Sequence, residues 1–129
     1  MPLTWTISHP TRLVVAVASG ELLPQDIESY FDDVTRQNAS AYRKLFDASQ
    51  ATAHLGEDAL FGLGARIRAY IALGPIGPVA IVVPRDDQAK AQASMFAALA
   101  EADRPIRIFR DLRLAQQWLD AQPEPTPGA

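Results

Sequence analysis

Two short, uninterrupted apolar runs constrain this chain most strongly, because each has the length of a β-strand. The first covers residues 13–18 and is followed by Gly20, and the second covers residues 79–83 and is closed by Pro78 and Pro84. Runs that are rich in valine and lack polar alternation are typical of strands that are covered on both faces. The pattern therefore predicts a sheet with helices packed against it.

Three further segments complete a predicted five-stranded sheet. Residues 4–8 alternate, with Trp5 and Ile7 on one face, which indicates an edge strand with one solvated side. The turn residues that follow predict a hairpin between this strand and residues 12–19. Short strands are also predicted at residues 42–47, followed by a polar loop, and at residues 106–109.

Four segments between and after these strands have the spacing of helices with a buried stripe. Pro24 begins the first, the second covers residues 57–72, and Asp111 caps the last. The residues predicted to face the core are Ile27, Tyr30, Phe31 and Val34, then Leu60, Leu63, Gly64, Ile67 and Ile71, then Ala89, Ala93, Phe96, Ala97 and Ala100, and finally Leu112, Ala115, Trp118 and Leu119.

The predicted element order is β-β-α-β-α-β-α-β-α over residues 1–121. Strands that alternate with helices form parallel pairs through right-handed crossovers. We therefore expect one α/β domain with a single five-stranded, mostly parallel sheet, an antiparallel hairpin at its N-terminal edge, and four helices. Residues 122–129 contain three prolines and are predicted to form a disordered tail.

Composition excludes several classes of function. The 129 residues include no cysteine, so neither a disulfide nor a thiolate zinc site can form, and the two distant histidines do not predict a metal site. The net charge is −3 and the basic residues are dispersed, which argues against nucleic-acid binding. No segment has the pattern of a secretion signal or a membrane span, and the expected location is the cytoplasm.

The carboxyl ends of parallel strands are the usual place for a ligand, near the point where the strand order reverses. Asp47 with Ser49, facing Arg85 or Arg110, is a candidate for binding a polar ligand group or a basic side chain of a partner. The alternative is that Asp47 and Ser49 form local turn bonds and that the aspartates after the strands cap helices.

Catalytic motifs are not evident in the sequence. His54 has Asp58 four residues later and Asp47 nearby, which are potential partners for a general base, although a solvated loop histidine is the alternative. The chain has no Gly-x-Ser-x-Gly elbow, and its Gly62-Leu63-Gly64 segment lies inside a predicted helix rather than after a strand. We therefore expect no enzymatic activity and no cofactor.

The second predicted helix is more apolar than one buried stripe requires. Phe61 lies about 100° around the helix from Leu60, and Tyr70 belongs to a further apolar string. Core packing is one explanation. The other is a binding surface for a partner helix, a second copy of the chain or an acyl chain.

Several segments resemble the SpoIIAA-like family over roughly residues 3–121: the opening hairpin, the helix after Gly20, the strand end Leu45-Phe46-Asp47, and the closing Phe109-Arg110-Asp111-Leu112 with Ala115 and Trp118-Leu119. That family is related to the STAS domains of bacterial anti-sigma-factor antagonists and, more distantly, to lipid-binding SEC14-type domains. The resemblance implies a five-stranded sheet with four helices, and a role in protein partner switching or apolar-ligand binding.

The signalling antagonists carry an Asp-Ser pair, whose serine is phosphorylated, at the start of the helix after the third strand. Here residues 53–58 read Ala-His-Leu-Gly-Glu-Asp, with no serine or threonine at that place. The resemblance therefore does not extend to a phosphoserine switch.

These observations predict a non-enzymatic binding or regulatory module in bacterial signalling. The second helix, with Phe61 and Tyr70, and the loop of residues 49–58 would form its working face toward a protein partner or a second copy. The alternative is a carrier of a small apolar or lipid-like ligand, and the third reading is an enzyme that uses His54 and Asp47.

Overall fold

The structure is a computed structural model that describes residues 2–52, 57–74, 76–85, 87, 90, 91, 94 and 106–123. The described strands are β1 (Leu3–Ser8), β2 (Leu13–Glu21), β3 (Arg43–Thr52), β4 (Val79–Val82) and β5 (Ile106–Phe109), and the described helices are α1 (Pro24–Arg36), α2 (Glu57–Leu73) and α3 (Leu112–Asp120). A fourth helix was predicted around Ala89, Ala93, Phe96, Ala97 and Ala100, all of which lie outside the described residues.

The five strands form one mixed sheet in the sequential order β1-β2-β3-β4-β5. β1 pairs with β2 in an antiparallel hairpin, and each later pair of neighbours is parallel. The predicted α/β class, the five strands and the antiparallel N-terminal edge are confirmed. A sequential order contains no reversal, so these five strands do not form the crevice at which doubly wound sheets bind ligands.

The two faces of the sheet carry separate cores, because alternate side chains of a strand point to opposite faces. One core packs α1 and α2 against β1, β2 and β3, and its fully buried members include Val14, Tyr30 and Leu63. The other packs α3 against β3 and β4 through Leu45, Val82 and Leu119. Helices therefore cover both faces, as the valine-rich runs predict.

The carboxyl half of β3 differs from the prediction. The sequence predicts a strand that ends at Asp47 and a loop after it, whereas β3 continues to Thr52. β2 continues beside it past an irregularity between Val17 and Ser19, and Gly20 pairs with Ala51 at a φ of +76°. The predicted loop was wrong because the two strand ends satisfy each other's backbone hydrogen bonds, which does not require apolar side chains.

Local signals at the helix ends are mostly confirmed. Pro24 begins α1, and the Leu23 N–H donates to Asp26 Oδ2 at 3.0 Å. Asp111 Oδ1 accepts from the Leu114 N–H at 3.1 Å and caps α3 as predicted. Leu112 was predicted to face the core but is 41% exposed; it is the first residue of α3, whose buried residues are Ala115 and Leu119.

Candidate functional site

The outer surface of α2 is the strongest candidate for a functional site. Leu60, Leu63 and Ile67 form the buried stripe that the sequence predicts, and Leu63 belongs to the core on this face of the sheet. The side of the helix that points away from this stripe is exposed and is here called the Phe61 face. Its residues are Asp58, Phe61, Gly62, Ala65, Arg68, Ala69, Ala72 and Leu73.

The Phe61 face is unusually apolar for the solvent side of a helix. Phe61 is 53% exposed and Leu73 is 78% exposed. A surface helix normally carries polar and charged residues on its outer side. On this face Asp58 and Arg68 are the two charged residues among the eight, and the others are apolar or glycine. Clustered apolar exposure of this kind is typical of an interaction surface.

Tyr70 lies on the other side of α2 from Phe61, because a separation of nine positions corresponds to about two and a half turns of helix. The Tyr70 ring packs edge-to-face on Phe31 of α1, with the ring centres 6.0 Å apart. Its hydroxyl donates to Asp32 Oδ1 at 2.5 Å. Arg66 also donates to Asp32 Oδ1, at 3.2 Å. Tyr70 therefore joins α2 to α1 and lies outside the Phe61 face.

The environment of Tyr70 favours its neutral form. Burial raises the pKa of Tyr70 to about 12, and the hydrogen bond and negative charge of Asp32 act in the same direction. A phenol that stays protonated can keep donating to the carboxylate over the whole physiological pH range. This supports a structural assignment for Tyr70 rather than a proton-transfer role.

Asp47 and Ser49 form the local arrangement that the sequence left open as an alternative. Asp47 Oδ1 accepts from the Ser49 N–H at 3.0 Å and from Ser49 Oγ at 2.6 Å. Asp47 is aligned with Val17 on β2 and Val82 on β4, so it lies level with the end of β4. By strand alternation its side chain is on the face that carries α3, opposite the face that carries α2.

Two arginines that the sequence singled out, Arg110 and Arg85, follow β5 and β4. Arg110 forms an ion pair with Asp87, with 2.8 Å between the guanidinium and the carboxylate. Arg85 follows β4 and is exposed. His54 lies outside the described residues, so its predicted pairing with Asp58 or Asp47 is not tested.

Two further observations concern the described part of the chain alone. None of its His, Asp or Glu residues gather in a group of three that could hold a metal ion. None of its helices combines the length and apolar character needed to cross a membrane.

Sequence reasoning identified Phe61, included Leu73 in a further apolar string and ended the working-face loop at Asp58, but it missed Ala65 and Arg68. The signal for these two was present in the sequence, since both recur at intervals that keep them on the same side of a helix as Phe61. What the sequence lacked was the direction in which that side points.

The fold and this surface define an α/β protein with a five-stranded mixed sheet, helices on both faces, and a largely apolar outer surface on α2. A scan against models of known protein families finds no match to the sequence. A search of curated proteins also finds no significant match.

Proposed function

We propose that this protein is a non-enzymatic binding module and that it engages a protein partner through the Phe61 face of α2. One observation carries the proposal: Phe61 and Leu73 are 53% and 78% exposed on a helix whose opposite side is already buried in the core. Covering both side chains in a complex would contribute roughly 2–4 kcal/mol, which is a useful share of the free energy of a specific association.

The resemblance to the SpoIIAA-like family supports the regulatory part of the proposal. The antagonists related to that family act by exchanging protein partners, so a single α/β domain with an apolar helix surface fits such a role. The setting that we propose is signalling in the bacterial cytoplasm. A phosphoserine switch is not part of the proposal, because residues 53–58 contain no hydroxyl side chain.

The test replaces Phe61 with a photo-crosslinking phenylalanine analogue in cells that produce the protein. Leu114 on α3 provides the matched control position, because it is 55% exposed and lies on the opposite side of the sheet. We expect a protein crosslink from position 61 and none from position 114. If neither position, or both positions equally, gave protein crosslinks, the Phe61 face would not be the binding surface.

A native mass spectrum of the gently purified protein separates this function from that of a carrier. A bound mass that leaves on denaturation, together with no protein crosslink at position 61, would support a small apolar ligand and overturn the proposal. A bare monomer or oligomer with a crosslink at position 61 would support it.

A further inference from the structure

Five residues of the Phe61 face follow a pattern that suits a second helix. Asp58, Phe61, Ala65, Arg68 and Ala72 are separated by intervals of three, four, three and four residues. These are the intervals at which one helix presents a seam of side chains to another in a coiled coil. All five residues are exposed. The seam therefore runs along the outer side of α2.

The seam is complementary to itself when a second copy lies antiparallel. With the two helices centred at the level of residue 63, Asp58 meets Arg68 of the other copy, and Phe61 meets Ala65 of the other copy. Opposite charges are then paired at the ends, and a large side chain faces a small one in the middle. Two-fold symmetry repeats each of these contacts, as it does in most homodimers.

We propose that two copies of this chain associate through antiparallel α2 helices, with the part of the Phe61 face between Asp58 and Arg68 as the interface. This proposal rests on the proposed function, since it names the partner of the same surface. A parallel arrangement in register would instead place Asp58 against Asp58, Arg68 against Arg68 and Phe61 against Phe61. Like charges and equal bulk at matching positions disfavour it, so the sequence selects the antiparallel pairing.

The Asp58–Arg68 pairing cannot form within one α2. The two residues are ten positions apart, which corresponds to about 15 Å along a helix axis. A guanidinium has five N–H donors. Arg68 can therefore donate to a carboxylate of a second copy in addition to its contacts within its own chain.

Gly62, which lies beside the seam, is a further argument for a second helix at this surface. A Cβ placed on Gly62 would meet nothing within 4 Å, so the packing of one chain does not require a glycine there. Glycine inside a helix costs about 1 kcal/mol relative to alanine. A second helix backbone that approaches closely at Gly62 supplies a reason for keeping that residue.

The experiment is sedimentation equilibrium on the full chain and on two charge reversals, Asp58→Arg and Arg68→Asp. In the proposed dimer each single variant places like charges together at both ends of the interface. We expect each alone to dimerise at least about tenfold more weakly than the wild type. An equimolar mixture of the two restores opposite charges at both ends and should dimerise about as well as the wild type.

Control reversals on α3, Arg113→Asp and Asp120→Arg, change exposed residues away from α2 and should leave the association unchanged. Circular dichroism checks that each variant is folded. If a variant fails to fold, the position-61 photo-crosslink in the wild-type background replaces it, and the crosslinked peptide should contain Ala65 of another copy.

The outcomes separate the two proposals. A wild type that remains monomeric at about 1 mM, or variants that dimerise as well alone as when mixed, would overturn the antiparallel dimer. A position-61 crosslink to a different protein would also overturn it, while leaving the proposed function intact. No protein crosslink at all would overturn both.

Discussion

Replacing Gly77 with alanine should destabilise this protein strongly, although it adds a single methyl group. Gly77 is buried just before β4, and its N–H donates to the Ser40 carbonyl at 2.8 Å. A Cβ at this position would overlap the carbonyl oxygens of Ala41 and Tyr42. These atoms belong to the backbone, so they cannot rotate aside as the end of a flexible side chain would.

The expected loss in the free energy of unfolding follows from the backbone atoms that the added methyl group would displace. Overpacking costs about 1–3 kcal/mol. Displacing the segment also weakens the Gly77–Ser40 bond and the neighbouring bond from the Lys44 N–H to the Pro78 carbonyl, at about 0.5–1.5 kcal/mol each. The midpoints of these ranges sum to about 4 kcal/mol, or a fall in Tm of roughly 15 °C for a chain of this length.

Urea denaturation followed by circular dichroism measures this loss, with an unchanged m-value if the folded and unfolded states keep their compactness. Gly62→Ala is the matched control. A Cβ there meets no neighbour within the chain, so in the monomer this change should raise the free energy of unfolding by about 0.5–1 kcal/mol. A loss below about 1 kcal/mol for Gly77→Ala, or equal effects at the two glycines, would refute the reasoning.

Two further predictions concern pH. Hydrogen bonds lower the pKa of Asp33 from its ordinary 3.8, the largest effect coming from Trp5 and smaller ones from Gln37 and Arg36. The Asp33 carboxylate therefore stabilises the fold above pH 3.8. This stabilisation disappears as the pH falls through the lowered pKa. Asp33→Asn should therefore lose less stability than the wild type between about pH 5 and pH 3 in urea titrations, and parallel curves would contradict this. Tyr70, with its pKa raised to about 12 from 10.0, stabilises the fold below pH 10 and loses that contribution as the pH rises to 12. A late phenolate absorbance step should disappear in Tyr70→Phe, and its persistence would assign the step to another tyrosine.

Much of the fold was predictable because local signals and long-range packing agree. The strand at residues 106–109 was predicted with its observed bounds, and the buried stripe of α1, with Ile27, Tyr30 and Val34, follows directly from helical spacing. The predicted end of a strand was wrong where its backbone pairing continues past its last apolar residues. β3 continues through polar residues to Thr52 because β2 lies alongside it, and the sequence of β3 alone carries no sign of that neighbour.

The candidate site was likewise predictable in part from local signals, and the rest depended on tertiary contacts. The sequence alone determined that α2 has more apolar surface than one core requires, since Leu60, Leu63 and Ile67 already fill one side and Phe61 lies on another. Only the tertiary structure decided which apolar residue remains exposed. α1 packs beside α2, and Phe31 and Asp32 hold Tyr70, while Phe61 points away from both. Those contacts join residues 38 or more positions apart, and helical periodicity reports only the relative angles of residues on one helix, never the position of its neighbour.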